Sequence, residues 1–316
     1  MNWRPGAGPA ALRARAELLA ATRAFFAARG VLEVETPMLA AATVTEPAIE
    51  SLVVDVAGGT RYLQTSPEYA MKRLLAAGSG DIYQVARVFR AGEAGSRHNP
   101  EFTLLEWYRV GFPLARLIDE TLAYVAHVLT DGMPVRRTTW SALLEAHLGV
   151  DALGAGEAAL RAALAARGFT PADLDGIDRR GLRDLAYDDA LRHAGGGVLV
   201  VDAFPEEAAA LARVVPDARG RRVAERFEVV IDGIEVANGY HELADADEQA
   251  RRFALDRDRR GLAGQVQPAA DLALLAALEH GLPDCSGVAI GLDRLLMRKL
   301  GVAHIGEVLA FDFARA

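Results

Sequence analysis

A β-hairpin constrains this chain more than any other feature. Asp232-Gly233 lies between two apolar runs within Phe227–Asn238, and an Asp-Gly pair in that setting predicts a two-residue turn, with Val230 opposite Glu235. Antiparallel pairing is therefore required. Because the other candidate strands do not alternate regularly with helices, we predict an α+β fold, an antiparallel sheet flanked by helices, rather than a doubly wound parallel sheet.

The hairpin carries two acids on one predicted face. Side chains alternate along a strand, so Glu228 shares a face with Glu235. Such a pair is repulsive unless a positive group lies nearby, and Mg²⁺ carried by a nucleotide phosphate meets that need. A solvated outer face with two unrelated glutamates is an equally weighted alternative. Strict alternation places Asn238 on the opposite face, so a role for it beside the acids requires a break near Gly239.

Composition narrows the class of protein. The 316 residues are 51% hydrophobic and 25% charged, which suits one or two buried cores. No apolar run is long enough for a membrane span, and Met1–Ala10 does not resemble a secretion signal. Cys285 is the single cysteine, which fits a reducing cytosol. The net charge of −8 disfavours a protein that binds the phosphate backbone of nucleic acids. We therefore expect a cytoplasmic enzyme that does not contact the membrane.

Turn and capping residues divide the chain into elements. Patterning predicts helices at 10–29, 67–75, 245–261 and 268–281, and strands at 31–37, 81–90, 102–109 and 286–290. The middle of the chain, roughly 131–220, has a different sequence pattern, which predicts three or four Ala/Leu helices around the strand Val198–Val201. We interpret it as a helical insertion within one catalytic domain that spans residues 1–316.

Two arginines are placed to bind an anion. Arg90 ends a predicted strand and begins a glycine-bearing loop, and Arg294 lies at a predicted helix start after Gly291. A guanidinium there can bind phosphate or carboxylate in a bidentate manner. An ordinary ion pair at the end of a strand is the alternative for each.

Several acids lie at the ends of predicted elements. A substrate that carries two ammonium groups could be enclosed by Glu68, Glu106 and Glu242, with Tyr108. Alternatively, these acids could be solvated at the surface. His98 and His241 lack the spacing of metal ligands, and Cys285 has no evident histidine partner for a nucleophilic role.

Five segments, taken in order, resemble the class II aminoacyl-tRNA synthetases, and specifically their lysyl branch. The segments that resemble the three class motifs are Arg29–Pro37, Phe89–Phe102 and Gly287–Arg294. Ser66–Tyr69 followed by Met71–Leu74, and Glu235–Leu243, are similar to lysyl-type signatures. Because the first motif begins at residue 29, there is no room for an anticodon-binding domain, and the chain resembles the core-only family that attaches (R)-β-lysine to elongation factor P.

This resemblance implies a function and a set of site residues. The reaction would join lysine or (R)-β-lysine, activated by ATP with Mg²⁺, to a lysine of elongation factor P, in a homodimer that does not act on tRNA. The implied ATP ligands are Arg90, Ala91, Gly92, His98, Asn99, Phe102, Glu235, Val236, Gly291 and Arg294. Of these, Arg90, Glu235 and Arg294 would be catalytic, and Glu228 would hold Mg²⁺ with Glu235. The implied substrate-binding residues are Ser66, Pro67, Glu68, Glu106, Tyr108, Asn238, Glu242 and Ala289.

Two positions depart from the family pattern. The second motif usually carries an acid two residues after its arginine, whereas this chain has Gly92 there and Glu93 next. The third motif of lysyl synthetases has a glycine where this chain has Ala289. One added methyl group on a pocket wall changes discrimination by about 1–3 kcal/mol, and the resemblance implies a preference for a β-amino acid.

Other functions remain as alternatives. A minimal lysyl-tRNA synthetase-like enzyme or an asparagine-forming relative would use the same core, and a non-catalytic regulator could share the fold. Retention of Arg90, Arg294, Glu228 and Glu235 counts against the regulator.

Overall fold

The computed structural model describes residues 3–130 and 132–316. Asp131, where the predicted insertion begins, lies outside the described residues. The chain forms two compact units: Met1–Asp131 with Glu242–Ala316, and Gly132–His241. The second unit therefore contains the predicted hairpin as well as the predicted insertion.

The described residues form helices and strands with the following bounds. The helices are α1 (Pro9–Ala27), α2 (Glu68–Ala76), α3 (Leu114–Leu129), α4 (Trp140–Leu148), α5 (Glu157–Ala166), α6 (Pro171–Leu174), α7 (Arg179–Arg192), α8 (Ala246–Leu262), α9 (Leu272–Gly281) and α10 (Leu292–Leu300). The strands are β1 (Leu32–Glu33), β2 (Leu39–Ala40), β3 (Val53–Val56), β4 (Gly59–Leu63), β5 (Ile82–Phe89), β6 (Glu101–Val110), β7 (Val135–Thr139), β8 (Val198–Pro205), β9 (Val214–Pro216), β10 (Arg222–Ile231), β11 (Ile234–His241) and β12 (Cys285–Gly291).

The first unit is built on strands in the order β1-β5-β6-β12. The β5–β6 and β6–β12 pairs are antiparallel, with Gln84 and Ala289 on either side of Glu106, while β1 pairs with β5 in parallel. The predicted antiparallel α+β fold is confirmed. Because directly paired residues share a face, these three side chains form one row across the sheet.

The strand predicted at 31–37 is wrong over most of its length. Only Leu32–Glu33 pairs with β5 as regular strand, and the Val34 N–H still donates to the Tyr83 carbonyl at 2.9 Å. Beyond that point the chain leaves β5, and Pro37 has no N–H with which to continue a ladder. A separate small sheet follows, in the order β2-β4-β3.

Aromatic packing holds α1 and α3 against the sheet of the first unit. The Phe26 ring stacks on Tyr83 with centroids 4.3 Å apart and meets Trp107 at 5.2 Å. Phe26 and Trp107 are both 0% exposed, so the strand that carries Glu106 is anchored from its other face.

The second unit has strands in the order β11-β10-β8-β7, with β9 paired to β10. The prediction of a mainly helical insertion around one strand is therefore incomplete, because β7 and β9 also form. Four helices are present as expected, and Leu160, Leu164 and Leu182 pack with Val201 of β8 in one apolar cluster. The two added strands are short: β7 reads Val-Arg-Arg-Thr-Thr and β9 is only Val-Val-Pro, and each is a weak strand signal.

Among the described residues, no helix combines the length and apolar character that crossing a membrane requires.

Candidate active site

Glu106 is the centre of a buried acidic pocket in the first unit. Its Oε2 accepts a hydrogen bond from Ser66 Oγ at 2.7 Å, and its Oε1 accepts one from the Tyr108 hydroxyl at 2.7 Å. Ser66 Oγ in turn accepts the Glu68 backbone N–H at 3.0 Å. The start of α2 and the strand β6 are therefore joined through one carboxylate, and the prediction that these residues lie together is supported by their contacts.

A lysine lies between the two acids that we expected to meet the amino groups of the substrate. Lys72 Nζ is 2.7 Å from Glu68 Oε1 and 2.6 Å from Glu242 Oε2. The Lys72 side chain is 1% exposed, as is that of Glu242. A carboxylate oxygen can accept more than one hydrogen bond, so Glu242 Oε2 retains capacity for a further N–H beside that of Lys72.

Burial and like charge perturb the pKa values of this pocket. Burial, followed by the charge of Glu68, raises the pKa of Glu106 to about 8. Burial also raises the pKa of Glu242 to about 7, although the Lys72 ammonium opposes the shift. For Lys72, burial alone lowers the pKa, but Glu242 and Glu68 more than offset this, and the lysine stays charged. Buried groups with shifted pKa values are typical of functional sites.

Gly287 leaves the space that the Tyr108 and Glu242 side chains of this pocket occupy. A Cβ at that position would lie 2.3 Å from Tyr108 Cε1 and 2.6 Å from Glu242 Oε1, closer than any real Cβ contact. The glycine backbone also donates a hydrogen bond to Glu242. Two residues further along β12, Ala289 lies directly opposite Glu106, so its methyl group forms part of the wall beside the acid.

Arg90 follows β5, at the beginning of the loop that we predicted to bind phosphate. Its guanidinium lies over the Phe102 ring at 5.2 Å, and Nη1 is 3.5 Å from Glu93 Oε1. The buried Nε has no hydrogen-bond acceptor among the described residues. An unsatisfied buried donor costs free energy, so this side chain fits an anion that would complete its hydrogen bonds.

The turn after Arg90 has a glycine where the second motif usually carries an acid. Gly92 has a φ of +77°, a left-handed conformation that favours glycine. Glu93 is the acid that reaches Arg90. The preceding residue, Ala91, donates its N–H to the Glu50 carbonyl at 2.8 Å, which fixes the start of the loop.

Arg294 and His98, both implied ATP ligands, are brought into contact. Arg294 Nη2 lies 2.7 Å from His98 Nε2. The residue before it, Asp293, is buried and accepts the Thr103 N–H at 2.7 Å, and it also pairs with Arg15. The helix start that follows Gly291 is thereby tied to β6.

Asn99 has a structural role that its prediction as a nucleotide-lining residue did not include. Its Nδ2 donates to the Glu101 carbonyl at 2.6 Å, and its Oδ1 accepts the Phe313 N–H at 2.9 Å. Both ends of the amide thus bind the chain's own backbone.

One face of the sheet in the first unit connects the arginine loop with the acidic pocket. Alternate residues of β6 share that face, beginning with Phe102 and ending with Glu106 and Tyr108. At about 3.3 Å per residue, Phe102 and Glu106 are separated by about 13 Å along the strand. Between them, small apolar side chains cover the face, with Ala86, Val88 and Leu104 packed against Phe102 and Ala289. The residues predicted to bind ATP and those predicted to bind the amino groups of the substrate therefore lie along one face of the sheet, with apolar side chains between them.

In the second unit, the hairpin contains a β-bulge. Asp232 and Gly233 form the predicted turn, with φ values of +50° and +78°, and Val230 pairs with Glu235 as expected. The register then shifts, so that Glu228 pairs directly with Asn238. The expectation that Asn238 lies on the opposite face is wrong, since an extra residue on one strand reverses the alternation beyond it.

The bulge gathers Glu228, Glu235 and Asn238 on one face. Asn238 Nδ2 is 3.4 Å from Glu228 Oε1 and 3.5 Å from Glu235 Oε1, while Asn238 Oδ1 is buried with no hydrogen-bond donor among the described residues. The break lies beside Val236, which is the extra residue, rather than near Gly239.

Other contacts stabilise the Glu228 carboxylate. Tyr187 donates its hydroxyl hydrogen bond to Oε2 at 2.8 Å, and Arg226 binds Oε1. Burial, followed by the charge of Glu235, raises the pKa of Glu228 to about 7. A divalent cation would relieve this repulsion, and carboxylate and amide oxygens are ligands that Mg²⁺ accepts. The residues present therefore fit the predicted magnesium site.

In the described part of the chain, one other group of side chains lies close enough together to hold a metal ion. His147, Asp189 and His193 place one ligand atom each within 4.8 Å of one another. However, His147 Nε2 already bonds Asp189 at 2.7 Å, and Arg167 and Arg192 each lie 3.5 Å from the same carboxylate. Its charge is thus balanced within the protein, and we interpret the group as a structural ion-pair network.

Sequence reasoning did not assign roles to several residues of these sites. Lys72 has a detectable signal, since it lies four residues after Glu68 on α2 and is one of only two lysines among the 35 Lys and Arg residues. Gly287 was included only as the first residue of the segment that resembles the third class motif. Arg226 and Tyr187 had no usable signal, because their contact with Glu228 depends on tertiary packing.

Comparisons with known proteins agree with this arrangement. The family described as tRNA synthetases class II (D, K and N) matches residues 3–315. A protein of Yersinia enterocolitica named elongation factor P--(R)-beta-lysine ligase is 46% identical, covering 100% of this chain and 98% of the relative. Proteins of the same name from Klebsiella pneumoniae and Vibrio parahaemolyticus are each 44% identical, over 100% and 99% of this chain and 98% of each relative. The chain belongs to the class II tRNA synthetase family of the D, K and N type.

Proposed function

We propose that this protein activates lysine or (R)-β-lysine with ATP as an aminoacyl-adenylate and transfers the aminoacyl group to the ε-amino group of a lysine on elongation factor P. The names of full-length relatives at 43–46% identity support the acceptor and the amino acid. The single observation that carries the proposal is the buried cluster of Glu68, Glu106 and Glu242.

The acidic pocket supports a substrate with two ammonium groups. Buried carboxylates without a cationic partner are rare and costly, and this cluster holds one internal cation, Lys72, among three acids. A diamino acid supplies the remaining positive charge. Neutral side chains of similar length would leave the carboxylates unpaired.

The arginine loop supports ATP as the second substrate. A carboxylate oxygen of the amino acid attacks the α-phosphorus, an O–P bond forms, and the bond to pyrophosphate breaks. Arg90, with its unsatisfied Nε, would neutralise charge at the α-phosphate, and Arg294 would bind the polyphosphate end. Fixed positive groups aimed at developing charge account for much of the rate enhancement in such reactions.

Transfer completes the reaction. The acceptor amine attacks the carbonyl carbon of the mixed anhydride, a C–N bond forms, the C–O bond to AMP breaks, and the amine loses a proton. The hairpin acids Glu228 and Glu235, with Asn238, are the proposed magnesium ligands. When bound, Mg²⁺ would neutralise phosphate charge.

The exposed apolar side chains at the first motif support the predicted homodimer. Leu32 of that motif is 56% exposed and Met38, directly after it, is 50% exposed, and exposed large apolar side chains can mark an interaction surface. We propose that a second copy covers them. Sedimentation of the purified protein checks this: a monomer at micromolar concentration would contradict it.

The function is tested by amino-acid-dependent ATP–pyrophosphate exchange over a panel of α- and β-amino acids, followed by mass measurement of elongation factor P. We expect exchange with lysine-type substrates and a mass increase of one lysyl group on one acceptor lysine. Efficient charging of tRNA by the same preparation, with no change in the acceptor protein, would favour the minimal lysyl-tRNA synthetase instead.

A further inference from the structure

Lys72 has no part in the reaction proposed above, yet it lies at the centre of the acidic pocket. Its ammonium contacts Glu68 at 2.7 Å and Glu242 at 2.6 Å, and its side chain is 1% exposed. A charge buried to this extent is retained only when its partners compensate the loss of hydration. Both partners are acids that we expect to bind the substrate.

We propose that Lys72 is a positioning residue for the substrate pocket: a built-in cation that holds Glu68 and Glu242 against one ammonium, and that matches the charge of the pocket to a substrate with two ammonium groups. The inference rests on the proposed function, and it adds a physical basis for the specificity of the pocket for a diamino acid.

Charge counting supports this role. With all three acids ionised, Glu68, Glu106 and Glu242 together with Lys72 carry two net negative charges, the complement of a diamine. Without Lys72 the same pocket would hold three mutually repelling carboxylates in a buried site, which cannot all remain ionised at neutral pH.

The geometry gives Lys72 two attachments rather than one. Lys72 and Glu68 lie one turn apart on α2, and that pairing is local to the helix. Glu242 follows β11 and is distant in sequence. The lysine therefore fixes the helix relative to Glu242, whose Oε2 can accept a further hydrogen bond from a substrate ammonium.

The same arrangement predicts proton release on substrate binding. Burial and the charge of Glu68 raise the pKa of Glu106 to about 8, so at neutral pH this acid is mostly protonated in the free protein. The second ammonium of the substrate requires its ionised form. Lys72 opposes the rise in the pKa of Glu242, so binding should release protons in the wild type and more of them when Lys72 is lost.

The main test compares Lys72→Met and Lys72→Arg with Arg73→Met, an exposed neighbour on α2. Calorimetry with (R)-β-lysine or lysine, in buffers of different ionisation enthalpy, counts the protons released. We expect Lys72→Met to release more protons than the wild type and to raise KM for the amino acid by roughly 30-fold or more, with partial recovery as pH rises. KM for ATP should stay within about twofold.

Lys72→Arg should retain the proton count of the wild type, because it retains the charge, and Arg73→Met should match the wild type in every measurement. If Lys72→Met folds and leaves both the proton count and KM for the amino acid unchanged, the inference is overturned.

A second measurement needs no turnover and no substitution of Lys72. The chain has two lysines, Lys72 and Lys299, so ¹⁵N-lysine labelling gives two side-chain signals, which Lys299→Arg assigns. We expect Lys72 Nζ to remain an ammonium at about pH 11, above the ordinary lysine pKa of about 10.4. Titration at or below that value would overturn the inference. Absence of exchange with any diamino acid would instead refute the proposed function and leave this result standing.

Discussion

Ala289 lies directly across from Glu106 in the antiparallel pairing of β12 with β6. Since paired residues point to the same side of a sheet, the Ala289 methyl group limits the space in which an amino group can approach the Glu106 carboxylate.

Ala289→Gly should therefore change the choice between α- and β-lysine. Removing one methyl group is worth about 1–3 kcal/mol of discrimination, so we expect the kcat/KM ratio to move toward α-lysine by about tenfold. Pyrophosphate exchange with both amino acids measures the ratio. Ile290→Val, which trims the neighbouring residue on the opposite face, is the matched control, and an unchanged ratio in Ala289→Gly would remove the proposed role of the methyl group.

Arg90→Ala should nearly abolish adenylate formation. Loss of one well-placed electrostatic donor typically lowers the rate by about 10²–10³-fold, and the Arg90 Nε has no competing acceptor among the described residues. Arg87→Ala is the control, because Arg87 lies on the same strand with a 45% exposed side chain paired to Glu101. Similar pyrophosphate exchange in both variants would contradict the assignment of Arg90.

Gly287→Ala should destabilise the protein and impair amino-acid binding together. The new Cβ would overlap Tyr108 and Glu242, and overpacking of this kind costs about 1–3 kcal/mol. Denaturant unfolding measures the loss of stability, and KM for the amino acid measures the effect on binding. Gly95→Ala, where nothing lies within 4 Å of the added Cβ, should leave the free energy of unfolding nearly unchanged. Equal stability of the two variants would show that the pocket is looser than described.

Glu106→Gln should flatten the pH dependence of stability. The folded pKa of Glu106 is raised from 4.5 to about 8, so between these values the folded state binds more protons than the unfolded state. Its contribution to the free energy of unfolding is therefore full below about pH 4.5 and is lost as pH rises to about 8. Denaturant unfolding at several pH values should show that the free energy of unfolding declines less with rising pH in Glu106→Gln than in the wild type. An equal or steeper decline would mean that Glu106 titrates normally.

Glu235→Gln should weaken the dependence on magnesium at the hairpin. Loss of one carboxylate ligand should raise the Mg²⁺ concentration needed for half-maximal exchange by more than about tenfold. Glu225→Gln is the control, because Glu225 lies on the same hairpin but pairs with Arg213. A magnesium requirement that is unaffected in Glu235→Gln would exclude this residue as a ligand.

Local patterns were sufficient for the elements that present the site. The Asp-Gly turn, the serine and proline before α2, and the Gly-flanked strand β12 each have chemistry that depends on a few neighbouring residues. The predicted second helix and strands β5 and β6 accordingly lie within one or two residues of their observed bounds, and the predicted start of helix α10 lies within two residues of the observed one.

Features that depend on pairing and packing could not be predicted. The bulge beside Val236 places Asn238 with Glu228, and nothing in the local composition marks the extra residue. The helix expected from residue 268 begins at Leu272, because Asp271 caps it by accepting the Ala273 and Leu274 N–H groups. The role of Lys72 required knowledge that Glu242, distant in sequence, meets it.

The most direct test compares lysine-type substrates with 2-aminohexanoic acid, which has the same chain length but lacks the terminal ammonium. A site whose buried acids bind that ammonium rejects the analogue strongly, by about 10⁴-fold in kcat/KM for pyrophosphate exchange. A ratio of that order is what the acidic pocket predicts. Comparable exchange with 2-aminohexanoic acid would show that Glu68, Glu106 and Glu242 do not recognise the substrate.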